Sequence, residues 1–533
     1  MNPADHADFG LLSPASAGTA ASRLTSDYQF IQAMLDVELE WTRVLADAGR
    51  VPADAVPAVE QASRADLYDA AALAERAQGG GNPVIPLLAD LRAEAKQHHP
   101  GAPSAIHKGA TSQDILDSAL MLMARRALAG IVTDLKTAAA ALARQADEHR
   151  GTITVARTLT QHSLPSTFGL KAANWLSGVA QAGARLEQVA GELPLQWGGA
   201  AGTMAALTDL AGRPAHPAAA ADSAASAGPA AGTAAPHDDG GASNDGGAAP
   251  NGGGAARTDG SAAPNGDGGA APNGDDAASN DDGGALALAA RLAERLGLAD
   301  PVAPWQTNRL PVTALAAALA DVLVAAGKVA NDVLLLSRPE LGEVAEPAAE
   351  GRGGSSAMPQ KQNPVLSVLI RSAALAGPGH LAQIQAAAAG AIDERPDGSW
   401  HVEWQALRQL LRLAGGAAAK LAELAEGLMI RPEQMRRNLA ITGELVVSER
   451  IMATVAPMLD GGSPGAGKAK VQNLVNQSLA NQGTLAQLLR DAVPVDVLSD
   501  EALAELLDPA GYIGQSSELI DRITSHYAEW SHS

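Results

Sequence analysis

The stretch ALAAALADVLVAAGKVANDVLLL, Ala314 to Leu336, is apolar around most of its circumference and has no proline. Alanine, leucine and valine recur at helical spacing, and the run is several times longer than a strand. A helix that is apolar all round must be buried. Four further segments read the same way, so that the expected long helices are Ile115–His149, Pro165–Glu192, Val312–Ser337, Pro364–Ala391 and His401–Gly427. Aromatic residues make up only 3% of the chain, and small alanines let such helices pack closely in a bundle. One chain supplies too few neighbours to cover five such helices, which predicts self-association.

At 533 residues the chain is long enough for several domains and a large core. It has no cysteine, which excludes disulfides, thiolate metal sites and a cysteine nucleophile, and suits a reducing setting. The start, MNPADHADFGLLSPAS, lacks a basic-then-apolar signal pattern, and no run is read as approaching the roughly 18 apolar residues of a membrane span. A soluble, cytoplasmic protein is expected. The net charge of -21 argues against nucleic acid, since phosphate neutralisation needs a basic surface. An anionic ligand would need positive charge gathered locally.

One segment is foreign to this pattern. Residues 213–285 collapse to Ala, Gly, Pro, Asn, Ser and Asp, with AAPNG recurring at 248–252, 262–266 and 270–274, and carry two Arg against ten Asp. Without large apolar side chains they cannot offset their ordering entropy, so a disordered insertion is expected. Because loop closure costs only about 0.6 kcal/mol per doubling of length, deleting Asp222–Asp282 should leave assembly and activity intact. Loss of the native oligomer on size-exclusion chromatography of the deletion variant would overturn that expectation.

The chemistry gathers in GGSSAMPQKQNP, Gly353 to Pro364. The glycines of AEGRGG make it a mobile loop, and Asn363–Pro364 reads as a helix start, with Asn363 as the cap and Pro364 at the first helical position. Ser355 and Ser356 offer hydroxyls near backbone amides and near Lys361, whose charge could stabilise an alkoxide or a bound carboxylate. A flexible connector that happens to contain serines is the competing local reading. Thr111–Ser112–Gln113–Asp114 fits a capping box, and hydroxyls with free amides at a helix start also suit a carboxylate. TITVARTLTQHSLPSTFG, Thr152 to Gly169, reads as an extended run entering a helix at Pro165 and delivering Gln161 and His162 to its start.

GSSAMPQKQNP, Gly354 to Pro364, resembles the signature loop of the fumarase/aspartase superfamily. HKGATSQD (107–114) and RTLTQHSLPSTFG (157–169) resemble its first and second regions, in the right order. PWQTNR (304–309), ERPDGSWHVEW (394–404) and DPAGYIG (508–514) are most similar to the bacterial 3-carboxy-cis,cis-muconate cycloisomerase branch. The resemblance implies an all-α, three-domain fumarase/aspartase-type fold with a central long-helix bundle shared across a homotetramer. The domains would be residues 1–110, 111–430 (interrupted by the insertion) and 431–533, with each active site built from three chains.

It also implies lactonisation of a small tricarboxylate. Ser355 would carry the carbon proton, Lys361 and Asn363 would hold the carboxylate where charge develops, and Thr111, Ser112, Gln161 and His162 would position the rest. Arg309, Arg395 and His401 are candidates for anion contacts. No metal or other cofactor is implied, and neither nucleic acid nor membrane is an expected partner. Where fumarases and amidine-type lyases read RTH, this chain reads RTL, with Leu159. An amine or hydroxide leaves poorly without a proton, whereas a carboxylate, with a pKa of about 4, leaves unaided. The departure therefore favours lactone chemistry. Another superfamily lyase, such as an adenylosuccinate lyase, or a non-catalytic helical assembly protein remain the alternatives.

Overall fold

Five long helices organise the chain in the computed structural model, which describes residues 9–212 and 284–532. They are Ser112–Glu148, Phe168–Gly191, Leu310–Leu336, Val365–Ala389 and Gly398–Gly427. Each lies within three residues of its expected bounds, because uninterrupted helical periodicity over 24 residues or more leaves little else to form. All but the last two residues of the 213–285 insertion lie outside the described residues. Its final residue, Ala285, opens the Ala285–Leu296 helix.

Each bundle helix packs on at least two others: Gly398–Gly427 on Ser112–Glu148 and Val365–Ala389, and Leu310–Leu336 on Val365–Ala389 and Phe168–Gly191. The N-terminal segment joins them through a close approach. A Cβ at Gly416 would fall 2.2 Å from the Ala15 carbonyl oxygen, so only glycine lets that backbone cross here. Lys420 Nζ then donates to the same carbonyl at 2.7 Å. One apolar cluster runs from Ala15 to Met435 and includes Ile520, without a break near residue 110. A second gathers Leu439 to Leu506 with Val155.

Two readings need correction. The Leu310–Leu336 and Val365–Ala389 helices are long and apolar enough to cross a membrane, contrary to the expectation that no run approaches that length. Core helices of bundles meet the same test, and 56% of the apolar window in the first is buried within the chain against 28% in the second. Val368, Leu375 and Val324 stand exposed on them. The second correction is at Thr152–Gly169. Pro165 does not start a helix. The segment is a two-stranded antiparallel hairpin, Ile153–Thr158 with Gln161–Thr167, and the helix begins at Phe168 with Thr167 as its cap. The consecutive β-branched residues Thr152 to Val155 favour an extended strand here. Val155 pairs with Pro165, where a missing N–H is tolerated beside a register shift.

Candidate functional site

The start of the Ser112–Glu148 helix is tied down from several sides. The Asp114 carboxylate accepts from the Thr111 N–H at 2.9 Å, completing the capping box, and from the Gly198 and Gly199 amides at 2.8 and 3.0 Å. Gln196 Nε2 adds a fourth donor at 3.2 Å. Burial nevertheless outweighs these donors and pushes the Asp114 carboxyl up to about 6 from 3.8. A raised folded-state value means that Asp114 stabilises most below pH 4, and that this contribution disappears as pH rises through 6. Unfolding of wild type and Asp114→Asn from pH 4 to 7 should show the wild type losing about 2 kcal/mol relative to the variant. A pH-independent difference would contradict this.

Above this cap, Arg395 Nη1 donates to Thr111 Oγ1 at 3.2 Å, and its guanidinium lies 5.6 Å from the Trp400 ring. Thr111, Ser112 and Arg395 are thus brought to one face, where the helix start, two hydroxyls and a cation suit a carboxylate. His401 is on the same side but committed: Nε2 lies 2.7 Å from the Gly81 carbonyl and Nδ1 3.1 Å from that of Asp397.

Arg309 is a correction. Its side chain is 0% exposed, bidentate to Asp117 (Nη1–Oδ2 2.7 Å, Nη2–Oδ1 3.1 Å) and paired with Glu403 at 2.7 Å. With both Nη groups and Nε engaged and the Trp305 ring 4.7 Å away, it has no donor to offer an external anion. Trp400 Nε1 also donates to Asp117 Oδ1, at 2.9 Å.

The hairpin carries Gln161 and His162 next to its tip and not at a helix start as expected. Leu159 and Thr160 form the turn, with φ of 48° and 68°. That geometry normally demands Asn-Gly, so the tip is strained. Leu159 is 95% exposed. His162 Nδ1 meets Thr442 Oγ1 at 2.7 Å, and Nε2 has no hydrogen-bond partner among the described residues. Burial, helped by nearby Arg157, lowers its pKa, which keeps the ring neutral. Arg157 itself is held by buried Glu343, to which Asn438 also donates.

The loop from Gly353 to Asn363 forms the third group. Gly354 and Gln362 form an antiparallel bridge, and the Asn363 N–H and Nδ2 both donate to the Gly353 carbonyl, at 2.8 and 3.1 Å. Gly353 has φ of 73°, and a Cβ there would lie 2.7 Å from the Asn363 oxygen. In the tip, Ser355 Oγ accepts from the amides of Ala357 (3.3 Å) and Met358 (3.1 Å). Lys361 is exposed and makes no ion pair among the described residues. The reading of Asn363 as the helix cap is corrected: the Glu346 carboxylate takes the Leu366 and Ser367 amides at 3.0 and 2.7 Å, ahead of which Pro364 is the cap residue. Twenty residues of separation hid that partner.

No hydrogen bond or ion pair joins the helix start, the hairpin tip and the loop to one another among the described residues. Two surface cavities, of about 800 and 330 Å³, contain none of the candidate residues. The sequence reading also passed over a pair beside the first group. His107, with φ of 64°, places Nδ1 2.7 Å from Oε1 of Glu38, which is 1% exposed and whose Oε2 is buried without a partner. HKG hinted at the turn, but a partner 69 residues away left no local signal.

The long-helix bundle, the hydroxyl-bearing loop and the capped helix start together define a lyase of the fumarase/aspartase type. The chain belongs to the lyase family, whose model matches residues 13–213 and 269–377. A nitrosuccinate lyase of Streptomyces davaonensis is 40% identical over 97% of this chain and 94% of its own. The 3-carboxy-cis,cis-muconate cycloisomerase of Pseudomonas aeruginosa is 36% identical, over 94% of this chain and 93% of its own. The crystal structure of the 3-carboxy-cis,cis-muconate lactonizing enzyme from Pseudomonas putida superposes with a TM-score of 0.78 at 31% identity, covering 98% of this chain and 100% of that one.

Proposed function

We propose that the protein is a 3-carboxy-cis,cis-muconate cycloisomerase acting as a cytoplasmic homotetramer. The observation that carries this reading is the likeness to 3-carboxy-cis,cis-muconate cycloisomerases in both sequence and fold, and Leu159 at the hairpin tip, where the resemblance to amine- or hydroxide-expelling lyases would call for a histidine, agrees with it. A reaction that needs no protonated leaving group fits that tip. A terminal carboxylate of the substrate adds to the far alkene carbon and closes a five-membered lactone. The electron pair moves to the carbon beside the other terminal carboxylate, and Ser355 O–H delivers a proton there. The resulting Ser355 oxyanion already faces the Ala357 and Met358 amides. Lys361 and the face at Thr111 and Arg395 neutralise the carboxylates, and His162 and Gln161 orient the diene. The separation of the three groups, together with the exposed apolar Val365–Ala389 face, supports a site completed by other copies.

The 40% identity to a nitrosuccinate lyase favours a second reading. Nitrite is also a stable anion, so elimination from a nitro-substituted succinate would tolerate Leu159 equally. Purified protein offered 3-carboxy-cis,cis-muconate and nitrosuccinate in parallel decides: loss of diene absorbance without nitrite release is expected. Nitrite release with an unchanged diene would replace the first reading by the second.

A further inference from the structure

We infer that Asp117, Arg309 and Trp400 form a positioning chain that sets where Arg395 meets a substrate carboxylate. This rests on the reading that an anionic substrate occupies the face at Thr111 and Arg395. Arg395 is exposed and, among the described residues, pairs with no carboxylate and makes only two polar or ring contacts, to the Thr111 hydroxyl and the Trp400 ring. Both contacts belong to one rigid body. Thr111 caps the Ser112–Glu148 helix, and Trp400 is fastened to Asp117, six residues into the same helix.

The fastening is built to hold. Trp400 is 3% exposed, and its indole N–H reaches Asp117 Oδ1, while Arg309 grips both oxygens of Asp117 and Gln113 Nε2 adds a fourth donor to Oδ2 at 3.1 Å. A bidentate guanidinium fixes the plane of a carboxylate, and the carboxylate in turn fixes the azimuth of the indole. A cation above an aromatic face takes its position from that face. A displacement of Arg395 by 1 Å is felt in substrate positioning. Arg309 thus acts on substrate through three intermediaries, Asp117, Trp400 and Arg395, and never touches it.

The test is a double-mutant cycle on Trp400→Phe and Arg395→Met, read by kinetics with 3-carboxy-cis,cis-muconate and by calorimetric binding of unreactive tricarballylate. Phenylalanine keeps an aromatic platform but loses the bond to Asp117. Trp400→Phe should raise KM and weaken tricarballylate by the same factor, about 3- to 10-fold, with kcat within about twofold. In the Arg395→Met background it should add little, since the two act through one contact. Additive losses, or a Trp400→Phe variant with unchanged KM beside an impaired Arg395→Met, overturn the positioning chain alone. An Arg395→Met variant with unchanged KM and unchanged tricarballylate binding overturns both the chain and the anionic face.

Discussion

Ser355→Ala should lower kcat for 3-carboxy-cis,cis-muconate by about 10²- to 10⁴-fold, the range for removing a positioned proton carrier. The hydroxyl is set apart from its neighbours by what its oxygen accepts: amides at 3.3 and 3.1 Å that stabilise the charge left after the proton departs. Alanine keeps the loop's backbone and removes one exposed local turn, so the thermal midpoint and oligomer should hardly change. The loss of those two bonds at the surface amounts to about 1 kcal/mol or less. Steady-state kinetics beside size-exclusion chromatography and thermal denaturation check both halves. An Ser355→Ala enzyme of near-normal kcat would remove Ser355 from the chemistry.

Arg309→Met should instead act on stability, costing about 3–5 kcal/mol. The guanidinium sits between Asp117 and Glu403, all three buried, and its removal leaves two carboxylates facing each other without a counter-charge. Burial already raises the pKa of Glu403 against the pull of Arg309, so loss of that arginine raises it further. Neutralising the acids as well, in Arg309→Met with Asp117→Asn and Glu403→Gln, should recover much of the loss, because the penalty belongs to unpaired charge more than to packing. Denaturant melts of the two variants measure this. An Arg309→Met protein of wild-type stability would mean that the buried pairs with Asp117 and Glu403 contribute nothing to folding.

The difference between Arg309 and Arg395 also marks where sequence reading stops. Both sit in short motifs with tryptophan nearby, and nothing local separates the buried one from the exposed one. Burial is decided by Asp117 and Glu403, 192 and 94 residues away. Long helices were legible because periodicity repeats over many turns. The hairpin was not, because Pro165 and a strained Leu159–Thr160 turn break the usual strand and turn signals together. Asn363 looked like a cap by residue type, yet Glu346 reached the amides first. Ser355, by contrast, was legible in part: two amides do face its oxygen, as a serine-glycine loop suggests, while the Lys361 side chain makes no ion pair among the described residues.

The zipped neck of the loop bears on how such an enzyme could change over generations. Gly354 bridged to Gln362, with Gly353 pinned under Asn363, separates the residues above from the bundle below. Positions 356 to 361 are exposed above that neck, so substitutions there alter reactive groups on solvent-facing chain, whereas any side chain at Gly353 would pry the neck open. New chemistry can be tried on this cassette while the scaffold goes on being inherited intact.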